Sequence, residues 1–393
     1  MHILEIPSFL PPYGGYFCIE QAKALLSRGH QVGVLHCQQL GVTVYPWHYL
    51  TARTGRWHEE IKPFGDSRTL NVYRTNMRGV PRNVRINQQR YCRIVSEMYA
   101  EYCARYGTPD ILHAHCTQWA GTAAAVISQQ TGIPYYITEH LSSGIFRSAY
   151  GEHWEKDAWA RTLLRETMEH ARCVMPVADE LVADLAPLFG RDYRWQTVSN
   201  VIDTAFYAYR EREPREGRAF RFCCLANANG AFLRMKGYDT LLAAFSQMKN
   251  CELHIAGRET DGKALSSIIA GMPNKADIHV HGELSRDEVR QLLYSSDALV
   301  LASRSEVQPL VLMEAMSTGM PVVATTAAPM SLRIPGACFT AAADSALSLM
   351  EAMTAVQAVT PSPVISHAIE RMASPETVAQ KLETLFTETL ETL

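Results

Sequence analysis

No run in this 393-residue sequence is apolar for the roughly 18 consecutive residues that a membrane-crossing helix needs. Its start lacks the basic segment followed by an apolar core that marks a secretory signal. No C-x-x-C pair occurs among the ten cysteines, so the common zinc and dithiol motifs are missing. The cysteines are scattered, with Cys223 and Cys224 adjacent, and read as reduced and mostly buried thiols. A cytoplasmic location is therefore expected. There is no G-x-G-x-x-G, which removes the main support for a dinucleotide-dependent dehydrogenase. A basic excess is also missing: 37 Lys and Arg against 40 Asp and Glu give a net charge of -3, so nucleic acid is not an expected partner.

What is present is an alternation of short apolar runs with helix-period segments. Strands are expected at 1–6, 31–35, 111–114 and 134–138, with helices at 19–27 and 119–131. The pattern restarts with strands at 220–226, 251–256, 278–281, 298–302 and 321–324 and helices at 238–247, 286–294 and 310–317. Strands separated by helix-length segments imply right-handed βαβ units and parallel sheets. The length exceeds one hydrophobic core, so the expectation is an α/β chain of two doubly wound domains. A charged stretch at 210–218, broken by Pro214 and Gly217, reads as the linker. Residues 375–393 read as one amphipathic helix with an acidic surface. Such sheets bind ligands beyond the carboxyl ends of their strands, so the loops there should carry the chemistry.

After the first strand, the loop from Pro7 through Tyr13 ends in Gly14-Gly15 and opens a helix. Glycines there leave backbone N–H groups unobstructed by Cβ, which suits a phosphate, although a plain tight turn reads the same way. In the second half, Arg234 and Lys236-Gly237 lie between a strand and a helix. A lysine and an arginine there suit a diphosphate, one as a point charge and one as a fork. The most specific segment runs from Ser303 to Pro321. Pro309 suits the first position of a helix, Glu306 falls just before it, and Glu314 on its second turn. The free amides of Leu310 and Val311 would face an anion. Glu314 interrupts an apolar run, so it should be enclosed and should need partners.

Taken in order, these segments resemble the family-4 retaining glycosyltransferases, and the likeness covers nearly the whole chain. Glu306 and Glu314 match that family's glutamate–seven residues–glutamate signature, which continues through Ala315-Met316 and Gly319-Met320-Pro321. Gly14-Gly15, Arg28-Gly29-His30, Pro109 through His115, Gly132-Ile133-Pro134, Thr138-Glu139-His140 and Asn200 through Phe206 agree as well. The resemblance implies a GT-B fold: two facing Rossmann-like domains, here 1–205 on the acceptor side and 206–374 on the donor side. The helix at 375–393 would pack back on the first domain. It implies a hexosyltransferase-like enzyme taking a nucleotide-sugar donor, with UDP favoured and GDP next, and a glycan or polyprenyl-linked acceptor in polysaccharide synthesis. It also implies that Lys236 binds the diphosphate, Glu306 contacts the sugar with the Leu310 and Val311 amides on the phosphates, and Glu314 holds the ribose. Gly15 would approach the diphosphate, and His140 would sit near the reacting centre. Transfer would proceed with retention, the departing phosphate oxygen taking the acceptor's proton, in keeping with no obvious pair of catalytic carboxylates. The same fold would also serve a nucleotide-sugar epimerase or hydrolase, which product analysis with donor alone separates, or a non-catalytic binding relative, which would bind nucleotide yet show no turnover with any acceptor.

The sequence departs from the family at Ala231, where an arginine is usual, with Arg234 as a substitute nearby; Gln308-Pro309 and Val201 are further departures. No cofactor or metal is expected: no Asp-x-Asp occurs, the pair that metal-dependent GT-A transferases use. His113-Ala114-His115-Cys116 and His279-Val280-His281 could be proposed as zinc ligands, but alternation at strand ends explains them as well. Finally, Arg68, Arg74, Arg78, Arg82, Arg85, Arg90 and Arg93 form a run without an acidic residue. Arg78, Arg82 and Arg85 are candidates for an anionic acceptor or for peripheral contact with the inner face of a membrane; a solvated loop explains the run equally.

Overall fold

The computed structural model describes residues 1–12, 14–42, 46–61, 69–143, 157–212, 217–230 and 232–390. Its contacts divide the chain into two compact units, Met1–Val201 with Pro375–Leu393, and Ile202–Ser374. Tyr13, Arg68, Pro214 and Ala231, named above, lie outside the described residues, as do 391–393 of the expected C-terminal helix.

The first unit holds a seven-stranded sheet of β1 (His2–Pro7), β2 (Gln31–Leu40), β3 (Trp57–Ile61), β4 (Leu70–Arg78), β5 (Ile111–His115), β6 (Tyr135–Glu139) and β7 (Cys173–Pro176). Their order is β3-β4-β2-β1-β5-β6-β7. All pairs are parallel except β3 with β4. β1, β5 and β6 are buried along their full lengths, as a strand covered on both faces must be. β3 and β4 escape sequence reading because β4 is rich in Arg and Asn. Burial of Arg74 in that strand is made possible by an ion pair with Glu59 on β3 (2.7 Å) and a bond donated to the Pro11 carbonyl (2.8 Å).

Among the described residues the arginine run is not one loop: Arg74 and Arg78 lie on β4 and Arg85, Arg90 and Arg93 on the helix that follows, with Arg82, Arg85 and Arg93 exposed. Arg93 is 3.9 Å from Glu97, and Arg90 donates to the Arg78 carbonyl. Asn83 accepts from the Ile86 amide and starts the long helix Val84–Tyr106. A second difference concerns 119–131. The helix begins at Thr122, preceded by a wide turn, Thr117–Gly121, in which Trp119 has φ 64°. Ser8 holds that turn, donating to the Gln118 carbonyl (2.7 Å) and accepting from the Ala120 amide (3.2 Å).

The C-terminal helix Pro375–Leu390 belongs to this first unit. Val378, Leu382 and Phe386 are fully buried in its core beside Ile19 and Leu25 of the helix Tyr16–Ser27. Each such side chain contributes about 1.5–3 kcal/mol by leaving water. Arg28 and His30 both bond Glu383 at 2.7 Å.

The second unit holds β8 (Phe220–Leu225), β9 (Cys251–Ala256), β10 (Ile278–Val280), β11 (Ala298–Leu301), β12 (Val322–Thr325) and β13 (Cys338–Ala341). The order is β10-β9-β8-β11-β12-β13, all parallel. One face packs on helices that include Tyr238–Phe245 and Ala346–Ala355, the other on Leu310–Ser317 and Pro363–Ala373. Cys224 joins the first of these cores and Cys223 the second, so the adjacent thiols point to opposite faces of β8 and are both free. The stretch at 210–218 is not a linker. The chain passes between units at Val201–Ile202, and Arg212 is tied within the second unit to the Ser296 carbonyl and to Thr318. Arg218 pairs with Asp297 (2.7 Å). Charge suggested exposure, which holds for Arg210, Glu211 and Arg218, while Arg212 is partly buried on its partners. Among the described residues, no helix is long and apolar enough to cross a membrane.

Candidate active site

In the second unit the strand order reverses between β8 and β11, the kind of position where open α/β sheets bind ligands. The loop after β8 passes through a short helical turn, Phe232–Met235, to Lys236-Gly237. The loop after β11 carries Ala302 through Glu306. Gly237 has φ 66°, and a Cβ there would lie 2.0 Å from the Ala302 carbonyl oxygen. Only glycine lets the two loops meet. Arg304 fastens them. Its amide donates to the Met235 carbonyl (2.8 Å), and its guanidinium forks onto both Asp239 oxygens (2.8 and 2.9 Å) while bonding Asp344 and the Arg234 carbonyl. The outcome is an ion pair: Lys236 Nζ donates to Glu306 Oε1 at 2.6 Å, the two side chains 19% and 10% exposed. A cation that close to the surface is within reach of an anionic ligand, while Glu306 keeps a second oxygen to accept from a hydroxyl.

Pro309 does not occupy the first helical position, as expected, but caps the helix Leu310–Ser317 from an extended conformation. Leu310 and Val311 are then its first two residues, whose amides have no carbonyl one turn below. Leu312, Met313, Ala315 and Met316 fill the core and fix the helix. Glu314 accepts from the Tyr207 hydroxyl and faces Arg286. Arg286 in turn stacks over Phe206 (4.2 Å) and donates to Asp203 (3.0 Å). Burial pushes the Glu314 carboxyl up to about 7, against the opposing pull of Arg286 and Tyr207. The folded chain thus holds a proton that the unfolded chain releases in the ordinary carboxylate range. Stability should fall as pH rises from about 4.5 to 7, by about 2 kcal/mol after allowing for partial exposure of this residue. Denaturant midpoints across that range should slope downward for the wild type, and Glu314→Gln should flatten the slope.

In the first unit the order reverses between β1 and β5. Gly15 has φ 73°, and a Cβ there would lie 2.3 Å from the Phe9 carbonyl oxygen; Gly14, at φ 114°, has open space around it. The helix that they open places the Phe17 ring 4.2 Å from the His140 ring. Behind His140 runs a buried chain of polar groups. His140 Nε2 lies 3.1 Å from His115 Nδ1, and His115 Nε2 lies 2.9 Å from Glu5. His113 bridges Glu5 (2.9 Å) and Thr138 (2.7 Å). Burial disfavours the Glu5 anion, but His113 and His115 outweigh it and hold the carboxyl down at about 2. Burial, then the neighbouring His115 and His113, push His140 well below the usual histidine range, so its imidazole is neutral. Glu139 accepts from Thr117 (2.8 and 2.7 Å) and from the His140 and Leu141 amides (2.9 and 3.0 Å), which fixes the backbone that presents His140. Phe386 of the C-terminal helix packs edge-on against His113 (5.6 Å).

The structure therefore brings Lys236 to Glu306, with Leu310, Val311 and Glu314 on the helix that follows, and gathers Gly15 and His140 around Phe9 and Phe17. Arg234 contributes its carbonyl to the scaffold, while its side chain is exposed. Arg78 is committed to the carbonyls of Tyr49, Leu50 and Ala52. Arg82 is exposed, and Arg85 lies over Trp159 at 5.0 Å. Sequence reading missed Tyr207, Arg286 and Arg304. Tyr207 directly follows a recognised segment, but nothing local shows that its hydroxyl meets Glu314. Two groups here carry metal-ligand chemistry, Cys18–His115–His140 and Glu5–His113–His115, their ligand atoms within 4.8 Å of one another. Among themselves, His113, His115, His140 and Glu5 form the hydrogen bonds just given.

Residues 16–201 match the family model "Glycosyl transferase 4-like domain", and residues 228–334 match "Glycosyl transferases group 1". The putative teichuronic acid biosynthesis glycosyltransferase TuaC of Bacillus subtilis is 28% identical over 332 residues, covering 81% of this chain and 78% of TuaC. Sucrose-phosphate synthase from Thermosynechococcus elongatus superposes with a TM-score of 0.75 at 16% identity, over 100% of both chains. Anabaena Alr3699/HepE, solved in complex with UDP, does so with a TM-score of 0.70 at 16% identity, again over 100% of both. With the two parallel sheets and the switch-point loops described above, these matches show that the chain is a glycosyltransferase and belongs to the family-4 glycosyltransferases of the GT-B type.

Proposed function

We propose that this glycosyltransferase takes its sugar from a nucleoside-diphosphate donor, UDP-linked ahead of GDP-linked, and transfers it with retention to a glycan or lipid-linked acceptor. The observation that carries this reading is the 2.6 Å pair of Lys236 and Glu306 at the switch point, just ahead of a helix amino terminus. The diphosphate takes Lys236 and the amides of Leu310 and Val311; the sugar's hydroxyls donate to Glu306 and the ribose hydroxyls to Glu314. Within the first unit the candidate residues are Gly15, whose missing Cβ lets its loop close on Phe9, and His140, a neutral imidazole. The bond from the sugar's anomeric carbon to phosphate oxygen breaks as the bond to the acceptor oxygen forms on the same face. The acceptor's proton goes to the departing phosphate oxygen, so no metal and no second carboxylate is required. With Glu306 tied to a lysine, a carboxylate nucleophile is disfavoured, which supports this route. The UDP held by HepE supports the choice of base, and TuaC's name supports a role in bacterial surface polysaccharide synthesis. Arg82 and Arg85, both exposed, are the side chains available to an anionic acceptor or to a membrane surface.

Thermal melting against UDP, GDP, ADP and their sugar conjugates tests the donor half. A bound nucleotide raises the midpoint by mass action, by about 2.7 kcal/mol at a hundredfold excess over Kd. One base should stabilise the wild type, and Glu314→Ala should lose most of that response. If no nucleotide shifts the midpoint, the assignment of donor residues is wrong.

A further inference from the structure

We propose that Glu252, His254 and His279 form a binding site for a divalent transition-metal ion, zinc foremost, on the open face of β9 and β10, with His281 as the positioning residue. The site owes nothing to the donor loops, and its test does not depend on the reading above. Glu252 and His254 alternate along β9 with Leu253 and Ile255, which are buried in the core, so both point to the other face of the sheet. His279 on β10 is the direct cross-strand partner of His254, and their rings stack at 4.6 Å. One ligand atom from each of Glu252, His254 and His279 lies within 4.8 Å of the others.

Two distances give the cluster the character of a site. His254 Nε2 and Glu252 Oε2 are 3.4 Å apart. That is long for a hydrogen bond, but it matches the edge of a tetrahedron built on metal–ligand bonds of about 2.1 Å, which is about 3.4 Å. His254 Nδ1, on the other side of the ring, lies 2.9 Å from His281 Nε2. With the Nδ1 proton donated to His281, Nε2 keeps its lone pair for the metal, which is the arrangement that orients metal-bound histidines. Arg221 Nε donates to the same Glu252 oxygen at 3.0 Å and holds the carboxylate in place. His279 is exposed and offers a ring nitrogen within 4.8 Å of the other two ligand atoms, leaving a fourth position for water. Two imidazoles and one carboxylate select zinc and its neighbours over magnesium or calcium, which prefer oxygen ligands throughout. The bound ion would cross-link the three-residue β10 to β9 at the edge of the sheet.

The test uses the full chain stripped with a chelator and titrated with zinc against a chromophoric competitor at pH 7.5. The expected result is one zinc per chain, lost in His254→Gln and in His279→Gln, with affinity reduced about 10- to 100-fold in His281→Gln. His279 is exposed, so that variant should keep the wild-type circular dichroism and report on binding alone. Cobalt in place of zinc should show ligand-field absorption without the sulfur-to-metal charge-transfer band that Cys18 would produce. Absence of a stoichiometric ion, binding that survives His279→Gln, or a thiolate band would each overturn the proposal.

Discussion

Replacing Lys236 with methionine is expected to slow sugar transfer by roughly 100- to 1,000-fold, the cost usual for removing one preorganised electrostatic contact to a reacting group. The ammonium neutralises Glu306 at 2.6 Å. Without it, the loop presents an uncompensated carboxylate, 10% exposed, where the proposed donor carries its diphosphate. Loss of attraction and gain of repulsion therefore act together. Methionine keeps the length and the apolar stem of the side chain, and the fold does not rest on this pair, because Arg304 holds the same two loops independently. The measurement is the initial rate of nucleotide release from the donor that stabilises the wild type, alongside the melting midpoint. A variant within threefold of wild type would show that Lys236 does not serve the diphosphate.

The second large effect is structural. Gly237→Ala should destabilise the second unit by about 3–5 kcal/mol, combining a left-handed backbone that a side chain resists with a contact that nothing can relieve. The new Cβ would sit 2.0 Å from the Ala302 carbonyl oxygen and 2.9 Å from its carbon, and both are backbone atoms. Something must move, and what moves is the loop that carries Glu306. Loss of nucleotide response should therefore accompany the loss of stability. Gly230→Ala is the control: its φ is 50°, but nothing lies within 4 Å of the added atom, so its cost should be near 1 kcal/mol. Denaturant unfolding of both variants decides the matter. Equal midpoints would mean that the Gly237 contact is softer than its geometry implies.

The two predictions rest on different kinds of information, and so did the reading of the sequence. The short apolar runs that mark β8, β9 and β11 are local signals, so they are visible without the fold. The helix Leu310–Ser317 is local too, since Pro309 ends the preceding loop and the apolar spacing sets its buried face. Less of the first unit was legible. β4 carries Arg74 in its interior, which reads as a surface residue until Glu59 on the neighbouring β3 is known to pair with it. The 210–218 stretch misled for the same reason: charge signals solvent, yet Arg212 finds a carbonyl and a hydroxyl from distant segments.

By itself, the sequence determined the α/β class, the restart of the pattern in a second domain, and the loops that hold Gly15, Lys236, Glu306 and Glu314. Tertiary structure alone decided that Lys236 meets Glu306 across 70 residues. It also placed Tyr207 and Arg286 around Glu314, and set His279 against Glu252 and His254. The physical reason is one of range. Periodicity and capping are set by contacts within a turn or a pleat, whereas strand order is chosen by the burial of whole faces, and only strand order places β8 beside β11 and β9 beside β10.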